Sequence, residues 1–405
     1  MTATTDRPGV QPHAATVEGV VARLDAATRP LDPPLAAVDL PSLEANLADL
    51  VRRAGGTPIR VASKSVRSRA VLERALGSGL TESGGFRGIM AYALREAIWL
   101  VRAGARDVLM GYPTVDRAAL AEVAADPTLR DSITLMVDSV DHLDALAAAG
   151  VRGARLCLDV DASLRIGPLH LGVRRSPLRT PEDAATLARV AVTRGFAVVG
   201  VMFYEAQIAG LPDSSAAVRL VKKASAAELS TRRGTVVDAV AAVSGRLEIV
   251  NSGGTGSLEI SSADPVVTEV TAGSGLFVPT LFDKYRAFTP RPAMFFALAA
   301  VRRPTPKIAT LFSGGYIASG PAGASRVPTP VWPAGLTLLR NEGAGEVQTP
   351  VTGLAASALR IGDRVWFRHA KAGELCERFT DVHLVDADGA VTTVPTYRGE
   401  GRCFG

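Results

Sequence analysis

The feature that most constrains this chain is a rhythm. From Ile59 to Ala272 a short apolar segment, a turn and an amphipathic stretch recur about eight times over roughly 210 residues. The apolar segments that predict strands are Ile59–Ser63, Gly88–Tyr92, Asp107–Gly111, Ile133–Asp138, Ala154–Val160, Ala197–Phe203, Leu247–Asn251 and Val267–Ala272. Between them, helical spacing is predicted over Ser68–Leu76, Leu94–Ala103, Arg117–Ala125, Val140–Ala149, Pro181–Arg194 and Ser225–Val243. Short apolar runs bounded by turns read as strands covered on both faces, and their alternation with helices requires a parallel sheet. An open doubly wound sheet shares this local grammar. The count of eight favours closure, and no Gly-x-Gly-x-x-Gly run opens the series, so the expected fold is a (β/α)8 TIM-type barrel of the α/β class.

The flanks differ. A polar tail (Met1–Ala15) and an amphipathic stretch (Val17–Ala26) precede Pro30, Pro33 and Pro34. A strand is then predicted over Leu35–Leu40, followed by a helix that opens at Pro41, carries Leu43, Leu47 and Leu50 on one face and stops at Gly55-Gly56. After about Tyr285 the texture becomes Pro- and Gly-rich with alternating apolar residues, as in Ala293–Val301, Ile308–Phe312, Leu336–Leu339, Arg364–Arg368, Val382–Val385 and Val391–Pro395. The expected organisation is a tail and helix over 1–30, a barrel over 41–285, and a C-terminal β-domain over 286–405 that the segment 31–40 joins.

With 405 residues, 47% hydrophobic and 21% charged, the chain can bury a large core and is not of disordered composition. Its 45 basic and 40 acidic residues are interspersed, so the net +5 argues against a nucleic-acid surface. Cys157, Cys376 and Cys403 are too few and scattered for a disulfide framework, which implies a reducing compartment. The N-terminus lacks the apolar stretch of a secretory signal, and no apolar run reaches membrane-spanning length, so a cytoplasmic location is expected. Trp99, Trp332 and Trp366 read as core or interface residues.

In a barrel the reactive groups come from the C-terminal ends of the strands. The first predicted strand ends in Lys64, where desolvation would lower the amine's pKa and make it an imine-forming nucleophile. The seventh ends in Asn251-Ser-Gly253-Gly254-Thr255-Gly256-Ser257 and the eighth in Thr271-Ala-Gly273-Ser274-Gly275. Such turns offer backbone N–H groups and hydroxyls to an anion, at the phosphate position of many barrels. Separately each cluster is explained by a tight turn and the lysine by an ion pair. Together they suit pyridoxal 5′-phosphate (PLP), which needs an amine for its aldehyde and a cup for its phosphate.

Pro58-Ile-Arg-Val-Ala-Ser-Lys64-Ser, Gly88-Ile-Met-Ala-Tyr92-Ala-Leu-Arg-Glu96-Ala97, Gly200-Val-Met-Phe-Tyr204-Glu205-Ala-Gln207 and Asn251-Ser-Gly-Gly-Thr-Gly follow one another in an order that carries a resemblance. The chain resembles the D-threonine aldolase and D-serine dehydratase branch of the alanine-racemase-like, fold type III PLP enzymes, including the amino acid deaminase/aldolase type, from about Leu35 to about Arg378. The resemblance implies that Lys64 bonds the cofactor and that Asn251, Gly253 to Gly256 and Gly273 to Gly275 hold its phosphate. Arg165 would meet the cofactor's phenolic oxygen unless it pairs with Asp161, and Tyr204 and Gln207 would lie near the ring, Tyr204 being also readable as a core aromatic. It also implies a homodimer, with a small amino acid as substrate.

In that branch a His and a second ligand two residues later bind a divalent metal. Here the stretch reads Phe367-Arg-His369-Ala-Lys371-Ala-Gly-Glu374-Leu-Cys376-Glu377. A lysine stands where a ligand belongs, so either no metal is tightly bound, with the ammonium supplying the charge, or Glu374 or Cys376 joins His369. The implied activity is retro-aldol cleavage of a D-3-hydroxy amino acid to glycine and an aldehyde, with His369, Lys371 and Tyr204 beside Lys64 as catalytic candidates. The alternatives are deaminating dehydration and racemisation, for which Tyr316 and Tyr397 are the opposite-face candidates. A non-catalytic PLP carrier and a PLP-free barrel remain as rivals, and the β-domain argues against the carrier because a covered mouth serves to exclude water.

Overall fold

The computed structural model describes residues 16–213, 215–286 and 288–405, so the predicted tail Met1–Ala15 lies outside the described residues. Eight parallel strands close into a barrel: Ile59–Ala62, Phe86–Ala91, Val108–Met110, Ile133–Val137, Arg155–Asp159, Ala197–Phe203, Ile249–Ser252 and Glu269–Ala272. The eighth pairs with the first through Val270 and Ile59, and the first with the second through Ile59 and Phe86, which completes the ring. All eight stand where the apolar rhythm placed them. The helix predicted over Ser225–Val243 is longer, Ala216–Ser244. Its first turns are solvated, with Leu220 69% exposed, so they carry no apolar stripe to read.

The barrel interior is sealed at its N-terminal end by charge. Arg60 is fully buried and donates to Glu269 Oε1 at 2.7 Å and Asp107 Oδ1 at 2.8 Å, and Asn251 Nδ2 reaches Glu269 at 2.8 Å. Buried charges are tolerable only when paired in this way. This layer leaves the opposite mouth free for a site.

The second layer is a nine-stranded sheet in which Leu35–Asp39 lies between Met294–Thr305, antiparallel, and Asp381–Val385, parallel. Met294–Thr305 also pairs with Ile308–Phe312 and Arg364–Arg368. Thr329–Trp332, Leu336–Leu338, Gln348–Gly353 and Val391–Pro395 complete this sheet, and of these Thr329–Trp332 and Gln348–Gly353 are short Pro-bearing strands that alternation did not reveal. Leu35–Asp39 runs directly into the helix Leu40–Ala54, whose N-cap Asp39 accepts from Ser42 N at 3.0 Å and from Arg23 Nε at 2.8 Å. The chain therefore enters the barrel from the β-sheet and returns to it after the eighth strand. Among the described residues no helix is long and apolar enough to cross a membrane.

Candidate active site

A cavity of about 470 Å³ opens at the C-terminal ends of the barrel strands. The first strand contributes Lys64 and Ser65, the second Tyr92, the third Tyr112, the sixth Tyr204, the seventh Asn251 and Gly253 to Thr255 and the eighth Thr271 to Ser274, while the β-sheet layer supplies Ser319, Lys371 and Glu374. Both layers thus wall one space.

Lys64 sits in a single 3-10 turn, Ser63–Ser65, that follows the first strand. Its side chain is exposed to the cavity, so the burial anticipated from its strand-end position is not met. Its Nζ donates to Tyr112 Oη at 2.5 Å. Burial pushes the Tyr112 phenol up, but the Lys64 ammonium and the Arg175 guanidinium outweigh it and hold the phenol below its ordinary range. Arg175 lies 5.5 Å from the Tyr112 ring centre and 4.7 Å from that of Tyr204, joining the two faces. Tyr204 lines the cavity, and burial raises its phenol.

The glycine turns share their donors between the protein and the cavity. Gly253 N–H is spent on the buried Glu205 at 3.1 Å, Gly254 N–H on Ser257 Oγ at 3.2 Å and Gly275 N–H on Thr255 Oγ1 at 2.9 Å. The N–H groups of Thr255 and Gly256 make no hydrogen bond among the described residues. Ser65 and Ser274 present hydroxyls 3.1 Å apart at the same edge. Gly256 and Gly275 lie behind the lining: a Cβ on Gly256 would collide with Tyr285, and one on Gly275 would meet Leu50 at 2.8 Å. A Cβ on Gly273 would come within 2.5 Å of the Ala62 carbonyl oxygen, so that glycine lets the eighth strand approach the Lys64 turn.

Other anticipated residues stand elsewhere. Arg165 does not line the cavity: it is bound to Asp161 at 2.6 Å, and Arg175, ten residues on in the same loop region, reaches the mouth instead. Gln207 is buried beneath, donating to the Ala162 carbonyl at 2.7 Å. His369 is 3% exposed and borders a second chamber of about 410 Å³ on the far side of the wall. Neither of its ring nitrogens has a hydrogen-bond partner, and burial beside Arg368 pushes its pKa down to about 3. Lys371 and Glu374 form that wall and face both spaces. Cys376 points away, its thiol donating to the Val66 carbonyl at 3.2 Å and pushed up to about 12 by burial. Tyr316 bonds Ser313 at 2.8 Å and Tyr397 is buried against Trp99, so neither reaches the main cavity.

Residues 38–279 match the alanine racemase N-terminal domain model. The chain belongs to the alanine-racemase-like, fold type III PLP enzymes. A 3-hydroxy-D-aspartate aldolase from Paracoccus denitrificans (strain Pd 1222) is 26% identical over 254 residues, 60% of this chain and 60% of that relative. Among solved structures, D-threonine aldolase from Filomicrobium marinum aligns with a TM-score of 0.74 at 22% identity, covering 91% of this chain and 96% of that one. D-threo-3-hydroxyaspartate dehydratase from Delftia sp. HT23 gives 0.71 at 21%, covering 90% and 97%.

PLP, the cofactor of this fold type III family, fits the residues present. An amine and the Ser65 hydroxyl stand at the first strand end, the unpartnered Thr255 N–H at the seventh and the Ser274 hydroxyl at the eighth, and the Gly273 approach brings them together. A divalent metal does not fit. Lys371 has no lone pair to give while charged, Cys376 is turned away, and His369 lies outside the main cavity. No group of three or more His, Cys, Asp or Glu is placed to hold a metal among the described residues.

Several lining residues escaped the sequence, among them Ser319, Tyr112 and Arg175. Tyr112 follows the third strand directly, so the strand-end rule applied to Gly111-Tyr112 finds it. Arg175 comes from an irregular loop and has no local signal.

Proposed function

We propose that this protein is a PLP-dependent lyase that cleaves D-configured 3-hydroxy amino acids by retro-aldol reaction, giving glycine and an aldehyde. The observation that carries the proposal is the meeting of Lys64, Thr255 with its unpartnered N–H, and Lys371 around one cavity. The relatives named as aldolases of 3-hydroxy-D-aspartate and D-threonine support the substrate class, and the D configuration rests on that likeness.

Thr255 and Gly256 would hold the phosphate of PLP, with Ser65 and Ser274 beside them, and Lys64 its aldehyde. The chemistry PLP supplies when bound is amine exchange and a sink for the electron pair left at Cα. Tyr112, its phenol held low, accepts the proton of the substrate's 3-hydroxyl as the Cα–Cβ bond breaks. Its contact with Lys64 Nζ provides the route by which that proton returns to Cα, so the reaction balances without an external acid. Arg175 keeps Tyr112 and Tyr204 aligned, and the β-sheet layer excludes water from the carbanionic carbon.

A second reading, elimination of water across Cα–Cβ followed by hydrolysis of the resulting enamine to a keto acid and ammonia, is favoured by one feature: Lys371 brings an ammonium to the cavity, which can give a proton to a departing hydroxyl. In that reaction Lys64 removes the Cα proton. Incubating the PLP-loaded protein with D-threonine separates the two. Glycine with acetaldehyde is expected; 2-oxobutyrate with ammonia establishes the dehydratase, and epimerised substrate alone establishes a racemase. Absence of a near-visible absorbance band after PLP addition rejects all three. By likeness to such enzymes we also propose a homodimer, which sedimentation equilibrium checks.

A further inference from the structure

We propose that Lys371 takes the place of a divalent metal in this site: its ammonium binds the 3-hydroxyl oxygen of the substrate, and the reaction is metal-independent. This rests on the lyase reading above. Three observations carry it.

The first is position. Lys371 heads the turn that packs on the reacting lysine: Gly373, at φ +81°, lies so close that a Cβ there would collide with the Lys64 carbonyl oxygen and stand 2.8 Å from Ser65 Cα. The ammonium and the Lys64 amine therefore face one space from opposite layers.

The second is how the ammonium is held. Nζ donates to Ser319 Oγ at 2.9 Å and stands 3.7 Å from Glu374. Ser319 is fixed in turn by two bonds to Glu374, from Oγ at 2.6 Å and from the backbone N–H at 2.7 Å. One of three N–H donors is spent, so two remain for a substrate oxygen, and Glu374 balances the charge. A flexible surface lysine has no such mount.

The third is that the surroundings disfavour a cation. Beyond Lys371 the second chamber is bordered by Arg67, Arg378 and Arg398 and by two carboxylates that are already engaged, Glu377 with Arg67 at 2.6 Å and Glu374 with Ser319 and Lys371. A divalent ion would meet this field with one ammonium already in its seat.

The test begins with the PLP-loaded wild-type protein, its metal content measured by mass spectrometry before and after dialysis against EDTA. Well under one metal per chain and a change in D-threonine turnover below about twofold are expected. One tightly bound metal per chain whose removal abolishes turnover overturns the proposal. Binding is read apart from turnover, by titrating the cofactor absorbance with D-serine and with D-alanine, which lacks the hydroxyl. Wild type is expected to prefer D-serine. Lys371→Met is expected to keep the absorbance band, to lose that preference and to lower kcat by about 100-fold or more, the effect of deleting one preorganised donor. Retained preference in Lys371→Met overturns the proposal. If Lys371→Met loses its band, Ser319→Ala serves, with a weaker D-serine preference expected and an unchanged one overturning the proposal. Should wild type cleave no 3-hydroxy amino acid, the lyase reading fails, while the D-serine comparison still decides the role of Lys371.

Discussion

Glu205 holds the phosphate-side turn, and its replacement gives the most quantitative check on this site. The carboxylate is 1% exposed; Oε2 lies 2.9 Å from Ser252 Oγ and accepts Gly253 N–H at 3.1 Å, while Oε1 meets Ser257 Oγ at 3.3 Å and the Ser261 hydroxyl. In Glu205→Ala the hydroxyls can re-pair, since Ser252 also bonds the Phe203 carbonyl and Ser257 meets Ser261, but Gly253 N–H is stranded. A buried orphan donor costs about 1–3 kcal/mol and each lost bond to a charged acceptor about 1.5 kcal/mol, so roughly 3–4 kcal/mol is at stake. In Glu205→Gln the amide oxygen can stay on Gly253 while its NH₂ faces hydroxyls able to accept, which limits the loss to about 1 kcal/mol. At about 1.4 kcal/mol per decade, the apoprotein's PLP affinity falls by up to about 700-fold in the Ala variant and by less than about tenfold in the Gln variant. The assay is a PLP titration read by the cofactor absorbance, with the Tm of each apoprotein measured alongside. An Ala variant that binds PLP within twofold of wild type and keeps its Tm refutes the reasoning.

Arg175→Met removes one of the two cations that hold the Tyr112 phenol low, so its titration should move to higher pH in an ultraviolet difference experiment, and because Tyr112 acts as a base the acid limb of any Tyr112-dependent rate should move up with it. Glu96, buried with Oε1 unpartnered, is pushed from 4.5 up to about 7 by desolvation. An acid with a raised folded pKa stabilises below its unfolded value and loses that contribution as pH rises through the folded one. Wild type should therefore lose about 3 kcal/mol relative to Glu96→Gln between pH 4.5 and 7. Urea unfolding at the two ends of that range checks it, and parallel pH profiles count against it. Gly273→Ala places a Cβ 2.5 Å from the Ala62 carbonyl and 3.0 Å from Ser65 Cβ. The Lys64 turn must shift, at about 1–3 kcal/mol, and PLP occupancy measured by absorbance should fall with the Tm.

The barrel was legible because its signal is local and repeated. A buried parallel strand must be apolar along its length and a covering helix must be apolar on one face, and eight repetitions leave little room for another sheet. Lys64 and the Gly253–Gly254 and Gly273–Ser274 turns followed from asking what each strand delivers to its end, Tyr204 came from the family resemblance, and all of them line the cavity. The Pro-bearing strands Thr329–Trp332 and Gln348–Gly353 and the solvated start of the helix Ala216–Ser244 lacked the periodicity on which such a reading depends.

Sequence by itself determined the order of elements, the eightfold count and the chemical types available at the strand ends, because backbone periodicity is written into neighbouring residues. Tertiary structure decided which of two loop arginines reaches the mouth, since Arg165 is captured by Asp161 four positions away while Arg175 stands over Tyr112 and Tyr204. It also decided that His369 is sealed behind the wall and that Lys371, two residues on, faces Lys64 across the cavity. Those outcomes depend on a sheet built from Leu35–Asp39 and strands some 260 residues later folding back over the barrel, a long-range contact that no local pattern encodes.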